Sequence, residues 1–181
     1  MKNNLTKLLE AAQFAARKHH GQHRKGATAE PYIVHPLGVA RYLSEVGQVT
    51  DYDVLIAAIL HDTLEDTETT PEEITELFGA EVCGFVQEVT DDKDLPKQRR
   101  KELQIEHAPH LSHSAKQVKL ADKISNITDI VKNPAVGWSL ETKLNYIAWG
   151  EKVVAGLRGA NAELEKYFDD LVLKAKAELQ E

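Results

Sequence analysis

The chain has 181 residues, of which 42% are hydrophobic and 28% charged, with 22 Lys plus Arg against 29 Asp plus Glu for a formal charge of −7. That balance describes a folded globular chain rather than a disordered one, and it disfavours a broad nucleic-acid surface, because affinity for a polyanion comes mostly from neutralising phosphates. Cys83 is the only cysteine, no apolar stretch approaches a membrane span, and Met1 to Leu5 lack the hydrophobic run of a signal peptide, so a reducing cytoplasm with no membrane partner is expected.

Helical patterns follow one another and no strand pattern stands out. Leu5, Leu8, Leu9, Ala12, Ala15 and Ala16 keep a helical period that Gly21 stops. Gln22 to Tyr32 reads as a loop rich in Gly, Ala, Thr and basic residues. Pro36 suits the first turn of a helix running to about Gly47. Thr50 with Asp53 resembles a capping pair for the next helix, which holds the apolar run Val54 to Leu60 and continues into His61-Asp62-Thr63-Leu64-Glu65-Asp66. Thr70-Pro71-Glu72-Glu73 is a start signal, and Gly79 is its stop. Ala80 to Thr90 is a short helix with Val82, Phe85, Val86 and Val89 on its apolar side. After the polar turn Asp91 to Pro96 comes a strongly charged helix, Lys97 to about Glu106, broken by Pro109. Ser114 opens a helix through Val131 with Val118, Leu120, Ala121, Ile124, Ile127 and Ile130 apolar, ended by Asn133-Pro134. Ser139 to about Leu157 and Asn161 to about Leu179 complete the set. The expected fold class is all-α, one compact multi-helix globule over residues 1–181.

The hexapeptide His61 to Asp66 concentrates the chemistry. Carboxylates at the end of a core helix must be paired, hydrogen-bonded or bound to a metal. Residues four apart share a helix face, so in one continuous helix His61 lies under Glu65 and Asp62 under Asp66. A divalent cation held by imidazole and carboxylate needs about four protein ligands. His61 and Asp62 supply two; His35, at a loop-to-helix junction, and Asp122, a charge within an apolar stripe, are candidates for the others. Taken singly, His35 and Asp122 read equally as hydrogen-bonded core residues. Glu65 and Asp66 read either as an acid–base pair or as a solvated helix end leading into Thr67-Glu68-Thr69-Thr70. Arg24 and Lys25, ten residues or so before His35, and the cluster Lys97, Arg99, Arg100 and Lys101 offer charge for a phosphate or simply solvated surface. Asn126, one turn from Asp122, is a possible substrate contact or a surface Asn. Cys83 reads as packing, no Gly-rich phosphate loop is present, and His107, His110 and His113, spaced around Pro109, read as a solvated loop.

Six segments together resemble a known family: Ala15-Ala16-Arg17-Lys18-His19, Arg24-Lys25-Gly26, Pro31-Tyr32-Ile33-Val34-His35-Pro36, Leu60 to Thr67, Val89-Thr90-Asp91-Asp92-Lys93, and Val118 to Ile127. In this order they are similar to the His-Asp (HD) metal-dependent phosphohydrolases, and within them to the stand-alone small alarmone hydrolases related to the RelA/SpoT hydrolase domain. The resemblance implies an all-α fold and one Mn²⁺ held by His35, His61, Asp62 and Asp122. It implies that Glu65 and Asp66 serve hydrolysis, and that Arg24, Lys25, Asn126 and Tyr146 hold guanosine and phosphates. From its neighbours Leu144 and Ile147 alone, Tyr146 reads as a core tyrosine. Ala27 to Glu30 and Ile127-Thr128-Asp129 depart from the family pattern. The implied activity is Mn²⁺-dependent, stringent-response hydrolysis of guanosine tetra- and pentaphosphate, (p)ppGpp, to GDP or GTP and pyrophosphate, without a synthetase. Competing readings are an HD phosphohydrolase of another nucleotide, such as the 2′-phosphate of NADPH, a catalytically silent nucleotide-binding regulator, and a purely structural helical module.

Overall fold

The helix starts are written in the residues that precede them. Asn3, Thr70, Ser112, Ser139 and Asn161 each accept a hydrogen bond from a backbone N–H in the first turn that follows, which satisfies a donor the helix itself cannot pair. In this computed structural model, which describes residues 3–180, the described residues form helices joined by loops and turns. They are α1 (Asn4–Lys18), α2 (Val34–Glu45), α3 (Tyr52–Leu60), α4 (Thr63–Asp66), α5 (Pro71–Phe78), α6 (Ala80–Val89), α7 (Lys97–His107), α8 (His113–Lys132), α9 (Leu140–Ala155) and α10 (Ala162–Glu178), with a single 3₁₀ turn at Ala108–His110. The all-α expectation holds, and extended pairing among these residues is limited to the isolated bridges His23–Pro31 and Gly26–Ala135. Met1 and Lys2, part of the N-terminal segment discussed above, lie outside the described residues. No described helix is long and apolar enough to cross a membrane.

Three local expectations change. Helix α8 starts at His113 with Ser112 as its cap, and not at Ser114. The cap of α3 is Asp51, whose side chain accepts from Asp53 N, and not Thr50. The helix carrying the hexapeptide is also not continuous. It breaks at His61-Asp62, where Asp62 sits at φ −96° and ψ −4°, and the Thr63 hydroxyl donates to the Leu60 carbonyl at 2.7 Å. Asp62 and Asp66 keep their shared face, with Asp66 N donating to the Asp62 carbonyl at 2.8 Å. His61 belongs instead to the end of α3, so it is not stacked under Glu65.

One apolar core, drawing on residues from Ala11 to Ala175, holds these pieces together. Helix α8 runs through it and packs against α2, α3, α6, α9 and α10. Its Leu120, Ala121, Ile124 and Ile127 are fully buried, and each large side chain among them contributes roughly 2 kcal/mol of apolar burial. A helix buried on so many sides should be apolar all round. Lys119, Asp122, Lys123 and Ser125 are buried there too, and each needs a partner.

Candidate metal centre and hydrolytic site

The buried polar side chains of α8 meet the start of α2 and the α3–α4 break. His35 Nε2 lies 3.2 Å from Asp122 Oδ1 and 3.6 Å from Asp62 Oδ2. His61 Nε2 lies 3.1 Å from Asp62 Oδ2 and 3.7 Å from Asp122 Oδ1. The far ring nitrogens are anchored: His61 Nδ1 donates to the Ala58 carbonyl at 2.8 Å, and His35 Nδ1 pairs with the Ser125 hydroxyl at 3.0 Å. Both rings therefore present Nε2 to the centre, as metal-ligating histidines do when their other nitrogen is fixed. His61 Nε2 is buried and, although 3.1 Å from Asp62 Oδ2, makes no well-formed hydrogen bond there, so its lone pair or proton faces the centre of the cluster. His35, His61 and Asp62 can bring one donor atom each within 4.8 Å of one another. Two imidazoles and carboxylates are a donor set suited to a borderline divalent cation. The residues present thus fit such an ion.

Electrostatics keep the two carboxylates of this cluster ionised, while without a cation they also favour a proton on His61. Burial opposes ionisation of Asp62 and Asp122, but the adjacent imidazoles, with Lys123 beside Asp122, outweigh it and hold both carboxyls below the usual range. Burial lowers the His35 pKa. Burial also opposes charge on His61, yet Asp62 and Asp122 beside it push its pKa up to about 10. Lys123 is buried and donates to Asp122 Oδ2 at 3.1 Å, with its ammonium 4.5 Å from the centre of the Trp149 ring. Asn126 Nδ2 donates to Asp122 Oδ1 at 2.6 Å.

Glu65 and Asp66 are both half-buried, and they face different neighbours. Glu65 accepts from Asp91 N at 3.2 Å and lies 3.6 Å from Arg100. Burial, followed by the charges of Asp91 and Asp62, raises its pKa to about 7. Asp66 is paired with Lys93 and lies 3.3 Å from the Tyr32 hydroxyl, which donates to Asp62 Oδ2 at 2.7 Å. Tyr32 therefore touches one candidate metal ligand and one candidate catalytic carboxylate; burial, with Asp62, raises its phenol pKa, so it stays a donor. This role is invisible in sequence, because Tyr32 stands in a loop and its partners lie a helix away.

Beside this cluster opens a cleft of about 710 Å³ lined by Arg24, Lys25, Asn126 and Tyr146 among others. Tyr32, Asp66 and Asn126 form the part of its wall next to the candidate ligands, which do not line it themselves. Arg24 is half-buried and bonded to Asp129 and Asn126, whereas Lys25 is exposed at the mouth. Tyr146 is both a wall residue and a core-packing one, with Trp138 and Trp149 at ring distances of 5.6 and 5.1 Å. The basic cluster on α7 divides. Lys97 and Lys101 line the cleft, Arg100 faces Glu65, and Arg99 pairs with Glu102 and Glu106. His107, His110 and His113 are exposed at the end of α7, in the 3₁₀ turn and at the start of α8. Cys83 is buried packing, as read, and its thiol donates to the Pro71 carbonyl.

Comparisons with known proteins identify the family. The model of the HD domain matches residues 11–146. The chain is 53% identical over 173 residues to the Xenopus tropicalis guanosine-3′,5′-bis(diphosphate) 3′-pyrophosphohydrolase MESH1, covering 96% of this chain and 97% of that protein. It is 52% identical over 166 residues to human MESH1, covering 92% and 93%. A solved structure described as a metazoan ortholog of SpoT that hydrolyzes ppGpp superposes with a TM-score of 0.90 at 47% identity, covering 93% of this chain and 94% of the other. With its donor cluster at the α2, α3–α4 and α8 junction and relatives matched along nearly their whole length, the chain belongs to the HD-domain family, among the proteins of the MESH1 group.

Proposed function

We propose that this protein is an Mn²⁺-dependent (p)ppGpp 3′-pyrophosphohydrolase, acting as one domain in the cytoplasm on a free nucleotide and not on nucleic acid. The observation that carries this reading is the group His35, His61 and Asp62, with Asp122 against both imidazoles and no well-formed hydrogen bond at the buried Nε2 of His61, next to the short helix that holds Glu65 and Asp66. The names of the MESH1 relatives support the substrate. His35, His61, Asp62 and Asp122 would hold the cation. When bound, such an ion supplies a Lewis acid for a phosphoryl oxygen and acidifies water.

The chain's own residues account for the rest. A water oxygen bonds to the phosphorus on the ribose 3′ oxygen, and the bond from that phosphorus to the 3′ oxygen breaks. Pyrophosphate leaves, and the 3′ oxygen takes up the proton given up by the water. Glu65 and Asp66 orient the water and take its proton. Tyr32 holds Asp62 and Asp66 in place. Arg24 and Lys25 would offset phosphate charge, and Asn126 and Tyr146, also in the cleft wall, would contact the nucleotide. Incubation with ppGpp and Mn²⁺ should give GDP and pyrophosphate in equal amounts, with slower turnover of NADPH. Metal-loaded protein that leaves ppGpp intact would overturn the proposal.

Glu65 also makes the pH profile informative. A carboxylate base works only when ionised, and its folded pKa of about 7 stands above the usual 4.5. A nearby cation lowers it, so the acid limb of kcat/KM should fall between those values. Asp91→Asn removes a charge that raises the Glu65 pKa and should move that limb to lower pH. An acid limb that stays in place or moves to higher pH contradicts the assignment of Glu65 as base.

A further inference from the structure

An acidic side chain in the wall of a cleft proposed for a polyphosphate needs an explanation, because it repels the ligand. Asp129 is such a residue. It lies on α8, one turn beyond Asn126 and two beyond Asp122. Its Oδ2 accepts from Arg24 Nε at 3.1 Å and from Arg24 Nη2 at 2.6 Å. Arg24 Nη2 also donates to Asn126 Oδ1 at 3.0 Å. The guanidinium carbon sits 5.5 Å from the centre of the Tyr32 ring.

A guanidinium has five N–H groups in a fixed fork. The Nε proton and both Nη2 protons of Arg24 are engaged by Asp129 and Asn126, and the Tyr32 ring packs on one face. The two Nη1 protons are left for a ligand, since no described residue accepts from them. Main-chain ties fix the base of the side chain: Arg24 N donates to the Glu30 carbonyl at 2.8 Å, and Val136 N donates to the Lys25 carbonyl at 3.0 Å. At Gly26 a Cβ would come within 2.3 Å of the Asn133 side chain, so the loop lies directly on the residues after α8. With the main chain anchored, the remaining freedom of Arg24 lies in its side-chain torsions, and Asp129 removes it.

We propose that Asp129 is a positioning residue for substrate binding: it clamps the Arg24 guanidinium so that its Nη1 edge faces a phosphate in the cleft. The clamp lowers the ordering cost when ligand arrives, because a long flexible side chain is already held in its binding rotamer. Its negative charge also offsets burial of the guanidinium, whose side chain is 15% exposed. Asp129 acts through Arg24, not on the reacting atoms. The substrate named in the test rests on the function proposed above.

The test is a double-mutant cycle on Arg24 and Asp129, read separately in KM and kcat for ppGpp. Arg24→Ala should raise KM by about 10- to 100-fold, the worth of a hydrogen bond to a charged group. Asp129→Ala should raise KM by about tenfold, with kcat changed by less than about threefold, as expected for a loss confined to binding. The double variant should be no worse than Arg24→Ala alone, because residues acting as one unit are not additive. Asp129→Glu, which keeps the carboxylate, should recover part of the loss. Thermal melts check the fold, and Asp129→Asn, which keeps one acceptor oxygen, replaces the alanine variant if that one is unstable. Additive effects, an unchanged KM, a lower KM in Asp129→Ala, or a loss confined to kcat each overturn the proposal. Calorimetry with inorganic pyrophosphate repeats the cycle without turnover. An inactive wild type in which binding still follows this pattern would therefore sink the proposed function and leave the clamp standing, whereas an active wild type with an additive cycle would do the reverse.

Discussion

Replacing Glu65 and Asp66 together by Ala should abolish pyrophosphate release, a fall of at least ~10³-fold, while bound metal stays at the wild-type level. The reason lies in how the two carboxylates are supported. Neither belongs to the His35, His61, Asp62 and Asp122 cluster, so their removal leaves that donor set intact. Asp66 pairs with Lys93, whose side chain is 48% exposed and can return to water at little cost. Glu65 neighbours Arg100 on α7 and the backbone of Asp91 in the loop after α6, both half-buried. The variant should therefore fold. Pyrophosphate release and elemental analysis on one preparation decide the matter: turnover within tenfold of wild type, or loss of the metal, contradicts the division between holding the ion and handling the water.

Asp122→Ala should have the second large effect, and it should strike stability as well as activity. Asp122 is a candidate ligand and also the carboxylate facing the ammonium of buried Lys123. Removing one partner of a buried pair leaves an uncompensated charge and costs about 3–5 kcal/mol. For a chain of this size that lowers Tm by roughly 10 °C. Trp149 offers the ammonium only a ring face at 4.5 Å, which offsets a small part of the loss, about 1–2 kcal/mol. The double variant Asp122→Ala with Lys123→Met separates the two roles. It should regain most of the lost Tm, because the charge is gone, yet still bind metal poorly and release no pyrophosphate. A Tm in Asp122→Ala equal to wild type, or activity restored by the second change, would show that Asp122 is not paired in this way.

The helical architecture was legible because its signals are local. Apolar residues at helical spacing mark α1, α6 and α8, and Thr70-Pro71 and Ser139 mark starts that the structure keeps. The α3–α4 break was not legible, since nothing in Leu60-His61-Asp62-Thr63 forbids a helix; a hydroxyl capping a carbonyl decides it. Asp51 displaced Thr50 as the cap for a similar reason, since either residue type can serve and only the local backbone chooses. His35, His61, Asp62 and Asp122 could be picked out as polar groups in apolar settings, and the fold brings them together. The residues that orient them could not. Ser125 is matched to His35 across 90 positions and Tyr32 to Asp62 across 30, and no spacing rule links loops to helices over such separations. Arg24 was visible as a charge, but its being clamped by Asp129 was not, because a cation and an anion far apart in sequence read as two solvated groups. Tyr146 shows the opposite limit: its apolar neighbours described its packing correctly and concealed that it also lines the cleft.

The central claim is that a divalent cation at His35, His61, Asp62 and Asp122, beside Glu65 and Asp66, makes this protein a hydrolase of (p)ppGpp. Titrating Mn²⁺ into metal-free protein, with pyrophosphate release from ppGpp and bound metal measured on the same samples, tests it most directly. Activity should rise from none to a plateau as one ion per chain is bound, with GDP formed in step with pyrophosphate. Full activity without metal, or one bound ion with no pyrophosphate released, would contradict it.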